Sequence, residues 1–231
     1  MKLSKRLWAV AQYVNKEARL ADIGSDHAHL PIWLAQNGQL VFGVAGEVVK
    51  GPYDNAVDEV QRAGLSNLIA VRLGDGLDVI DRSDQIDTIT ICGMGGRLIS
   101  DILERGLHSG RFNQTERLIL QPNVGESVLR SFLTSINYQI IAEEILEEQG
   151  QIYEIIVAEP ADSSIQLSED EQMFGKFLLQ EQSAIFKQKW QGEYDKLDHI
   201  LEQLMKASGD TTNKIAAIKQ QQQRIKEMIQ S

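Results

Sequence analysis

The chain has 231 residues, 42% of them hydrophobic, and a formal net charge of -10 at pH 7. This length and apolar content suit one full domain with a smaller appendage and exclude a disordered or fibrous protein. The acidic balance argues against a protein that coats nucleic acid nonspecifically, because each phosphate contact needs a local cation. A local basic patch is compatible with it, since the charged residues up to Lys16 are all basic, namely Lys2, Lys5, Arg6 and Lys16.

The sequence offers no targeting or membrane signal. From Met1 to Val14, polar and apolar residues alternate, so the uninterrupted apolar core of a signal peptide is missing. No later segment reaches the length of a membrane span. A single cysteine, Cys92, excludes an intramolecular disulfide and argues against a structural zinc site. We therefore expect a cytoplasmic protein with no membrane partner and no metal.

Short β-rich runs alternate with amphipathic stretches through the first two thirds of the chain. This alternation predicts an α/β fold, in which helices cover both faces of a doubly wound, mostly parallel sheet. The last two runs are joined only by residues 147–151, a polar connection with a glycine, so they should form an antiparallel hairpin at one edge. The predicted strands are Leu20–Ile23, Leu40–Val44, Leu68–Leu73, Asp87–Cys92, Arg117–Gln121, Gln139–Leu146 and Ile152–Ala158.

The periodicity breaks at Glu159–Ser164, where Pro160 cannot continue a central strand. We place the domain boundary there, giving domains at 1–160 and 161–231. Ser168 and Glu171 form a capping-box pattern that opens a helical region running to about Ala207. A second helix is predicted from about Thr211 to the end, after an interruption at Ser208-Gly209-Asp210.

The two C-terminal helices carry apolar residues at alternating steps of four and three. Folding the chain at Gly209 pairs these residues in antiparallel register, which predicts an antiparallel coiled-coil hairpin. Two surface helices packing on the main domain are the alternative, and the narrow apolar stripe favours the hairpin. The predicted pairs are Trp190 with Ile229, Tyr194 with Ile225, Leu197 with Gln222, Leu201 with Ile218 and Leu204 with Ile215.

Acidic and glycine residues follow the predicted strands, where open sheets bind ligands. After the first strand, Gly24 stands alone without the other glycines of the dinucleotide fingerprint, and Asp22 and Asp26 flank it. These carboxylates would repel a pyrophosphate and attract a ligand carrying an ammonium and a sulfonium. Glu47 follows the second strand, where a carboxylate can accept hydrogen bonds from both hydroxyls of a ribose. Asp75, between two glycines after the third strand, is placed to accept the exocyclic amine of an adenine.

Four strings at the ends of the predicted strands carry a family resemblance. They are Asp22-Ile23-Gly24-Ser25-Asp26-His27-Ala28-His29-Leu30-Pro31, Gly46-Glu47-Val48-Val49-Lys50-Gly51-Pro52, Gly74-Asp75-Gly76 and Gly93-Met94-Gly95-Gly96. These strings resemble those of the bacterial tRNA (adenine 22-N1)-methyltransferases. The similarity covers essentially the whole chain and implies a class I methyltransferase with a Rossmann-like seven-stranded sheet. It also implies S-adenosylmethionine as the methyl donor and N1 of a tRNA adenine as the acceptor.

The resemblance implies a role for each matching position. The methionine part of the cofactor would contact the loop after the first strand, its ribose would contact Glu47, and its adenine would contact Asp75. The loops after the fourth and fifth strands would face the target base. The implied cofactor-binding residues are Asp22, Gly24, Asp26, His27, Glu47, Val48, Asp75, Gly76, Gly93, Met94 and Gly95. The implied catalytic residues are Asp26, His27, Gln121 and Asn123.

Alternatives stay open at several of these positions. His27 and His29 equally suit a helix start, and the amides of Gln121 and Asn123 suit turns as well as an adenine edge. A class I methyltransferase for a small molecule or protein would share every cofactor position. A noncatalytic RNA-binding protein that retains the fold is a second alternative, and a NAD-dependent dehydrogenase ranks last because the glycine fingerprint is missing. The oligomeric state is left open.

Overall fold

A computed structural model describes residues 2–206 and 211–230, and it confirms the doubly wound α/β fold. Its seven strands form one sheet with the order β3-β2-β1-β4-β5-β7-β6. The strands are β1 Ala18–Ile23, β2 Leu40–Glu47, β3 Ile69–Leu73, β4 Thr88–Gly95, β5 Arg117–Val124, β6 Tyr138–Glu148 and β7 Gln151–Pro160. The helices are α1 Lys5–Gln12, α2 His29–Gln36, α3 Lys50–Arg62, α4 Gly96–Ser109, α5 Glu126–Ser135, α6 Glu169–Phe174, α7 Lys176–Glu181, α8 Ala184–Lys206 and α9 Thr212–Gln230.

The first five strands are parallel, and β3 lies at one edge of the sheet while β2, β1, β4 and β5 lie inside it. Leu118, Ile119 and Leu120 of β5 are all fully buried, as expected for a strand covered by helices on both faces. Strand β1 pairs with β2 on one side and with β4 on the other, so the strand order reverses between β1 and β4. A strand that is buried on both faces must consist mainly of apolar residues. Short apolar runs in the sequence are therefore sufficient to predict such strands.

The predicted edge hairpin is also confirmed. Strand β7 pairs antiparallel with β5 and with β6, which is the edge strand. Gln149 and Gly150 make the turn with φ angles of 53° and 77°, the pair of positive values that a two-residue hairpin turn requires.

The C-terminal region begins later than the sequence predicts. The chain divides into two compact units, the first ending at Leu179 and the second starting at Gln180, rather than near 160. The single helical region predicted from Ser168 is also interrupted. It breaks at Gly175, which has a φ of 92°, and again between α7 and α8.

A buried ion cluster explains why the first unit extends past β7. Arg130 of α5 donates from Nε to Glu143 and from Nη2 to Glu154, each at 2.6 Å, and all three side chains are buried. The same guanidinium donates to the carbonyl of Gln172 at 3.4 Å, and the Phe177 amide donates to the Glu143 carboxylate at 2.9 Å. Because α6 and the start of α7 complete this cluster, they belong to the first unit.

In the second unit, α8 and α9 are antiparallel. The Thr211 hydroxyl donates to the carbonyl of Leu204 at 3.4 Å, and the Gln222 amide donates at 3.3 Å to Asp198, the residue that follows its predicted partner Leu197. Every residue of the predicted seam is buried or half-buried. The predicted helix end at Ala207 and the turn at 208–210 lie outside the described residues. Coiled-coil packing of side chains stays a prediction.

No helix in the described part of the chain is both long and apolar enough to cross a membrane.

Candidate active site

A cavity of about 360 Å³ opens at the carboxyl ends of β1 and β4. This is the point where the strand order reverses, and it is where open α/β sheets bind ligands. Asp22, Gly24 and Asp26 line the cavity from the β1 side, and Gly93 and Met94 line it from the β4 side. The structure therefore brings together the loops that the sequence marks as a binding site.

Asp22 is the buried carboxylate of the cavity, with only 4% of its surface exposed. Its two oxygens accept hydrogen bonds from the Ser25 hydroxyl at 2.5 Å and the Thr90 hydroxyl at 2.6 Å. Burial raises the pKa of Asp22 from 3.8 to about 6, although the two hydroxyls act in the opposite direction. At neutral pH, Asp22 is thus an ionised carboxylate held in a poorly solvated place, where a cation would be strongly stabilised.

The loop after β1 is strained. Asp26, His27 and Ala28 have successive φ angles of 47°, 64° and 57°, a left-handed conformation that costs a residue with a side chain about 1–2 kcal/mol. The Asp26 amide donates to Oε1 of Glu47 at 2.8 Å, which ties this turn to the end of β2. Such strain persists where the surroundings impose it, and it is concentrated at functional sites.

Glu47 and Asp75 lie along the same sheet edge but not in the cavity wall. Glu47 pairs with Leu73 in the β2–β3 register, so the Gly74-Asp75-Gly76 segment starts beside it. Burial raises the pKa of Glu47, and the Asp26 amide occupies one of its oxygens, which leaves Oε2 for a ligand. Asp75 is exposed and bound to Arg105 at 3.0 Å, while Gly76 is buried with a φ of 57°.

The amide of Gln121 is enclosed within the protein. Its Oε1 accepts hydrogen bonds from Arg6 at 2.5 Å and from the Gly93 amide at 3.1 Å. Its Nε2 donates to the Pro122 carbonyl and to Oδ1 of Asn123, at 2.9 and 3.0 Å. Both ends of this buried side chain are therefore used, so Gln121 supports its neighbours and does not present its amide to the cavity.

Asn123 and the two histidines lie at the mouth of the site. Asn123 lines the cavity, is exposed, and donates to the Gly93 carbonyl at 2.8 Å. It keeps one N–H and one lone pair for a ligand. The His27 ring stacks on His29 with 5.4 Å between the ring centroids, and its Nε2 lies 3.8 Å from the Asp26 carboxylate. His27 therefore borders the site without lining the cavity.

Comparison with known proteins decides the family. The family described as tRNA (adenine(22)-N(1))-methyltransferase matches residues 20–230 of the chain. The chain belongs to this family. A curated relative from Bacillus subtilis (strain 168), named tRNA (adenine(22)-N(1))-methyltransferase, is 43% identical over 219 residues, which are 93% of this chain and 90% of the relative.

Solved structures resemble this tRNA (adenine(22)-N(1))-methyltransferase family member over its full length. A Streptococcus pneumoniae protein, named as a candidate tRNA (m1A22) methyltransferase and solved in complex with S-adenosyl-L-methionine, is 46% identical with a TM-score of 0.90. The similarity covers 99% of this chain and 100% of that one. M. capricolum TrmK, in complex with S-adenosyl-homocysteine, is 29% identical with a TM-score of 0.87, over 100% and 99% of the two chains.

Sequence reasoning missed one wall of this methyltransferase family site. Arg6 and Leu7 of α1 and Tyr153 of β7 line the cavity opposite the predicted loops. The sequence interpretation assigned Arg6 only to a basic patch, and it assigned no functional role to Leu7 or Tyr153. A signal existed for Arg6, which is a cation in an apolar helix close to the first strand. Tyr153 carries none, because an aromatic residue in a strand is ordinarily core.

The remaining predicted residues do not all meet in one place. Val48 is 64% exposed beside Glu47, and Gly95 lies at the end of β4, so both border the edge without lining the cavity. Burial raises the pKa of the Cys92 thiol far above neutrality, so this residue is not a thiolate nucleophile. Among the described residues, no group of three His, Cys, Asp or Glu side chains is arranged to hold a metal. The absence of a metal cofactor stays a prediction.

Proposed function

We propose that this chain transfers the methyl group of S-adenosylmethionine to N1 of adenine 22 in tRNA, and that it acts in the cytoplasm, where tRNA is modified. The observation that carries this function is the family match over residues 20–230, with the cavity at the matching loops. The named activity of the 43% identical Bacillus subtilis relative supports it.

The residues present suit this cofactor. S-adenosylmethionine supplies an activated methyl group on a sulfonium and carries an ammonium at its amino-acid end. Buried Asp22, with both oxygens already oriented by hydroxyls, provides the negative charge that an ammonium requires. Gly24 has a φ of 68°, a left-handed conformation that glycine adopts without a side-chain penalty, so glycine suits this turn at the cavity wall.

The other cofactor contacts follow the sheet edge. The Oε2 atom of Glu47 would accept a ribose hydroxyl, while its Oε1 atom accepts the Asp26 amide and so fixes the loop after β1. Asp75 would accept the adenine amine, with Gly76 allowing the base to approach the backbone. Val48, Gly93, Met94 and Gly95 would provide the remaining contacts.

The acceptor side requires orientation more than acid or base chemistry. Neutral adenine N1 already has a lone pair, so proximity and alignment supply most of the rate acceleration. N1 lies on the pairing edge of the base, and the nucleotide must therefore leave its stack to enter the cavity. Asn123 would hydrogen-bond the base edge, held in place by Gln121, while Asp26 would stabilise the positive charge of the methylated base. His27 would border the base without removing a proton.

The test is transfer of labelled methyl from S-adenosylmethionine into an unmodified tRNA transcript, followed by nucleoside analysis. We expect 1-methyladenosine from the wild type, a large loss with Asp22→Asn, and no loss with the matched control Asp58→Asn, an exposed carboxylate on α3. Label entering a protein or small-molecule fraction would favour a different class I methyltransferase. Failure to bind S-adenosylmethionine would favour a noncatalytic RNA-binding protein.

A further inference from the structure

The side-chain amide of Asn123 is held in one orientation by the backbone of Gly93. The Gly93 N–H donates to Oε1 of Gln121 at 3.1 Å, and Nδ2 of Asn123 donates to the Gly93 carbonyl at 2.8 Å. A backbone N–H can only donate and a backbone carbonyl can only accept, so these two contacts identify the oxygen end of each side-chain amide. Turning either amide over would place two donors or two acceptors against each other.

The two side-chain amides also fix each other. Nε2 of Gln121 donates to Oδ1 of Asn123 at 3.0 Å and to the Pro122 carbonyl at 2.9 Å, while Arg6 donates to Oε1 of Gln121 at 2.5 Å. Gln121 is fully buried, so water does not compete for these bonds. Asn123 therefore meets a ligand in a preset arrangement, with one lone pair on Oδ1 and one N–H on Nδ2 left for it.

This arrangement suits a base edge that presents a donor beside an acceptor. Among the described residues that line the cavity, Asn123 carries the one side-chain amide, whereas the carboxylates there only accept and the guanidinium only donates. Adenine has two such edges, the N6 amine beside N1 and the N6 amine beside N7. A contact at the first edge would occupy the N1 lone pair that has to attack the methyl group. The edge formed by N6 and N7 is the one that can be bound during the reaction.

We propose that Asn123 determines the preference for adenine by binding this edge, with Oδ1 accepting from N6 and Nδ2 donating to N7, and that Gln121 positions Asn123. The contact leaves the N1 lone pair unoccupied. Guanine carries two acceptors, O6 and N7, on the same edge, and the fixed amide cannot turn over to suit them. This inference rests on the proposed function for the reaction and adds which edge of the base is read, and by which residue.

The test compares two tRNAs that differ in one atom of the target base. They are assembled by ligation of synthetic fragments, with adenine or 7-deazaadenine at position 22. The second base keeps N1 and the N6 amine but has a C–H group in place of N7. We measure kcat/KM for both tRNAs and take the ratio of adenine to 7-deazaadenine. One neutral hydrogen bond corresponds to about 3- to 10-fold, so this ratio should be larger by that factor in the wild type than in Asn123→Ala.

The ratio in Asn123→Ala serves as the reference because it contains any intrinsic difference in N1 reactivity between the two bases. Asn123→Asp keeps an acceptor for N6 but has no N–H for N7, so its ratio should equal that of Asn123→Ala. Gln121→Glu keeps the shape of the side chain but cannot donate to Asn123, since the adjacent Arg6 favours the charged form. Its ratio should fall part of the way. The matched control Asn55→Ala, which removes an exposed amide from α3, should keep the wild-type ratio.

Other outcomes would overturn the inference. If Asn123→Ala slows both tRNAs by the same factor, Asn123 only supports the loop at Gly93 and does not read N7. A wild-type ratio in Asn123→Asp would lead to the same conclusion, and this variant decides the question if Asn123→Ala does not fold. A wild-type ratio in Gln121→Glu would remove the positioning role of Gln121. A failure of the proposed function is distinct, because the wild type would then methylate neither tRNA, and the inference would be overturned with it.

Discussion

Replacing Asp22 with Asn should stabilise the ligand-free protein at neutral pH. The buried carboxyl has a pKa of about 6, against 3.8 for the ordinary group. Between those two pH values the folded state keeps a proton that the unfolded chain has released, so the free energy of unfolding falls as the pH rises. A difference of about 2 pKa units at 1.36 kcal/mol each amounts to about 3 kcal/mol, lost by pH 7.

The Asn side chain has the same shape and no charge, so this loss disappears in the variant. We expect Asp22→Asn and wild type to have similar stability at pH 4, and the variant to be more stable by about 3 kcal/mol at pH 7. Urea unfolding of both proteins without cofactor, at several pH values from 4 to 7.5, measures the difference directly. The exposed control Asp58→Asn should follow the wild type.

The affinity for S-adenosylmethionine should change with pH in the opposite direction to the stability of the ligand-free protein. Because an ammonium binds the ionised carboxylate, the wild-type affinity for S-adenosylmethionine should rise about tenfold from pH 5 to pH 7, while that of Asp22→Asn should be weak and nearly independent of pH. A stability difference between variant and wild type that is the same at pH 4 and pH 7 would refute the reasoning. The burial of Asp22 would then not disfavour its charge.

Three other outcomes are expected. Glu47→Ala should weaken S-adenosylmethionine binding at least tenfold in calorimetry, because it removes a ribose acceptor and the tie to the strained loop, and unchanged affinity would rule out the ribose assignment. Arg130→Met should cost about 3–5 kcal/mol in urea unfolding, because the buried carboxylates of Glu143 and Glu154 lose the cation between them, and an unchanged midpoint would deny the cluster a structural role. Deleting residues 184–231 should spare cofactor affinity and reduce tRNA affinity and its salt slope, and a truncated chain that methylates tRNA normally would contradict this.

The strands and the cofactor loops were predictable because local sequence determines them. Apolar runs such as Leu118–Leu120 have to be buried on both faces, and a polar turn at residues 147–151 permits only an antiparallel neighbour. Asp22 and Glu47 lie at the carboxyl ends of parallel strands, so predicting that they meet at one edge of the sheet needs no knowledge of tertiary contacts. Because the fold determines where parallel strands end, the positions of these residues in the sequence were sufficient to predict where they lie.

The features that were missed depend on contacts distant in sequence. Arg6 reaches its place through Gln121 and Tyr153, and neither partner is visible from the sequence around α1. Gln121 was expected to meet the target base, and nothing in the sequence indicates that its side chain is fully buried within a hydrogen-bonded network. The unit boundary moved for the same reason, since Arg130 binds backbone groups of α6.

The left-handed turn after β1 is another feature that was not predicted from the sequence. Left-handed conformations are ordinarily predicted from glycine or asparagine, and the sequence places neither at Asp26, His27 or Ala28. Aspartate and histidine adopt this conformation more often than most residues do, but three left-handed residues in succession require the surrounding structure, including the bond from the Asp26 amide to Glu47.

Locating the methyl group within the tRNA tests whether the chain modifies N1 of adenine 22. Two unmodified transcripts, identical except for adenine or guanine at position 22, are incubated with the protein and S-adenosylmethionine, then digested and mapped by mass spectrometry. We expect one methyl group, at N1 of adenine 22, and none in the guanine transcript. Equal methylation of both transcripts, or a methyl group at another nucleotide of the adenine transcript, would contradict it.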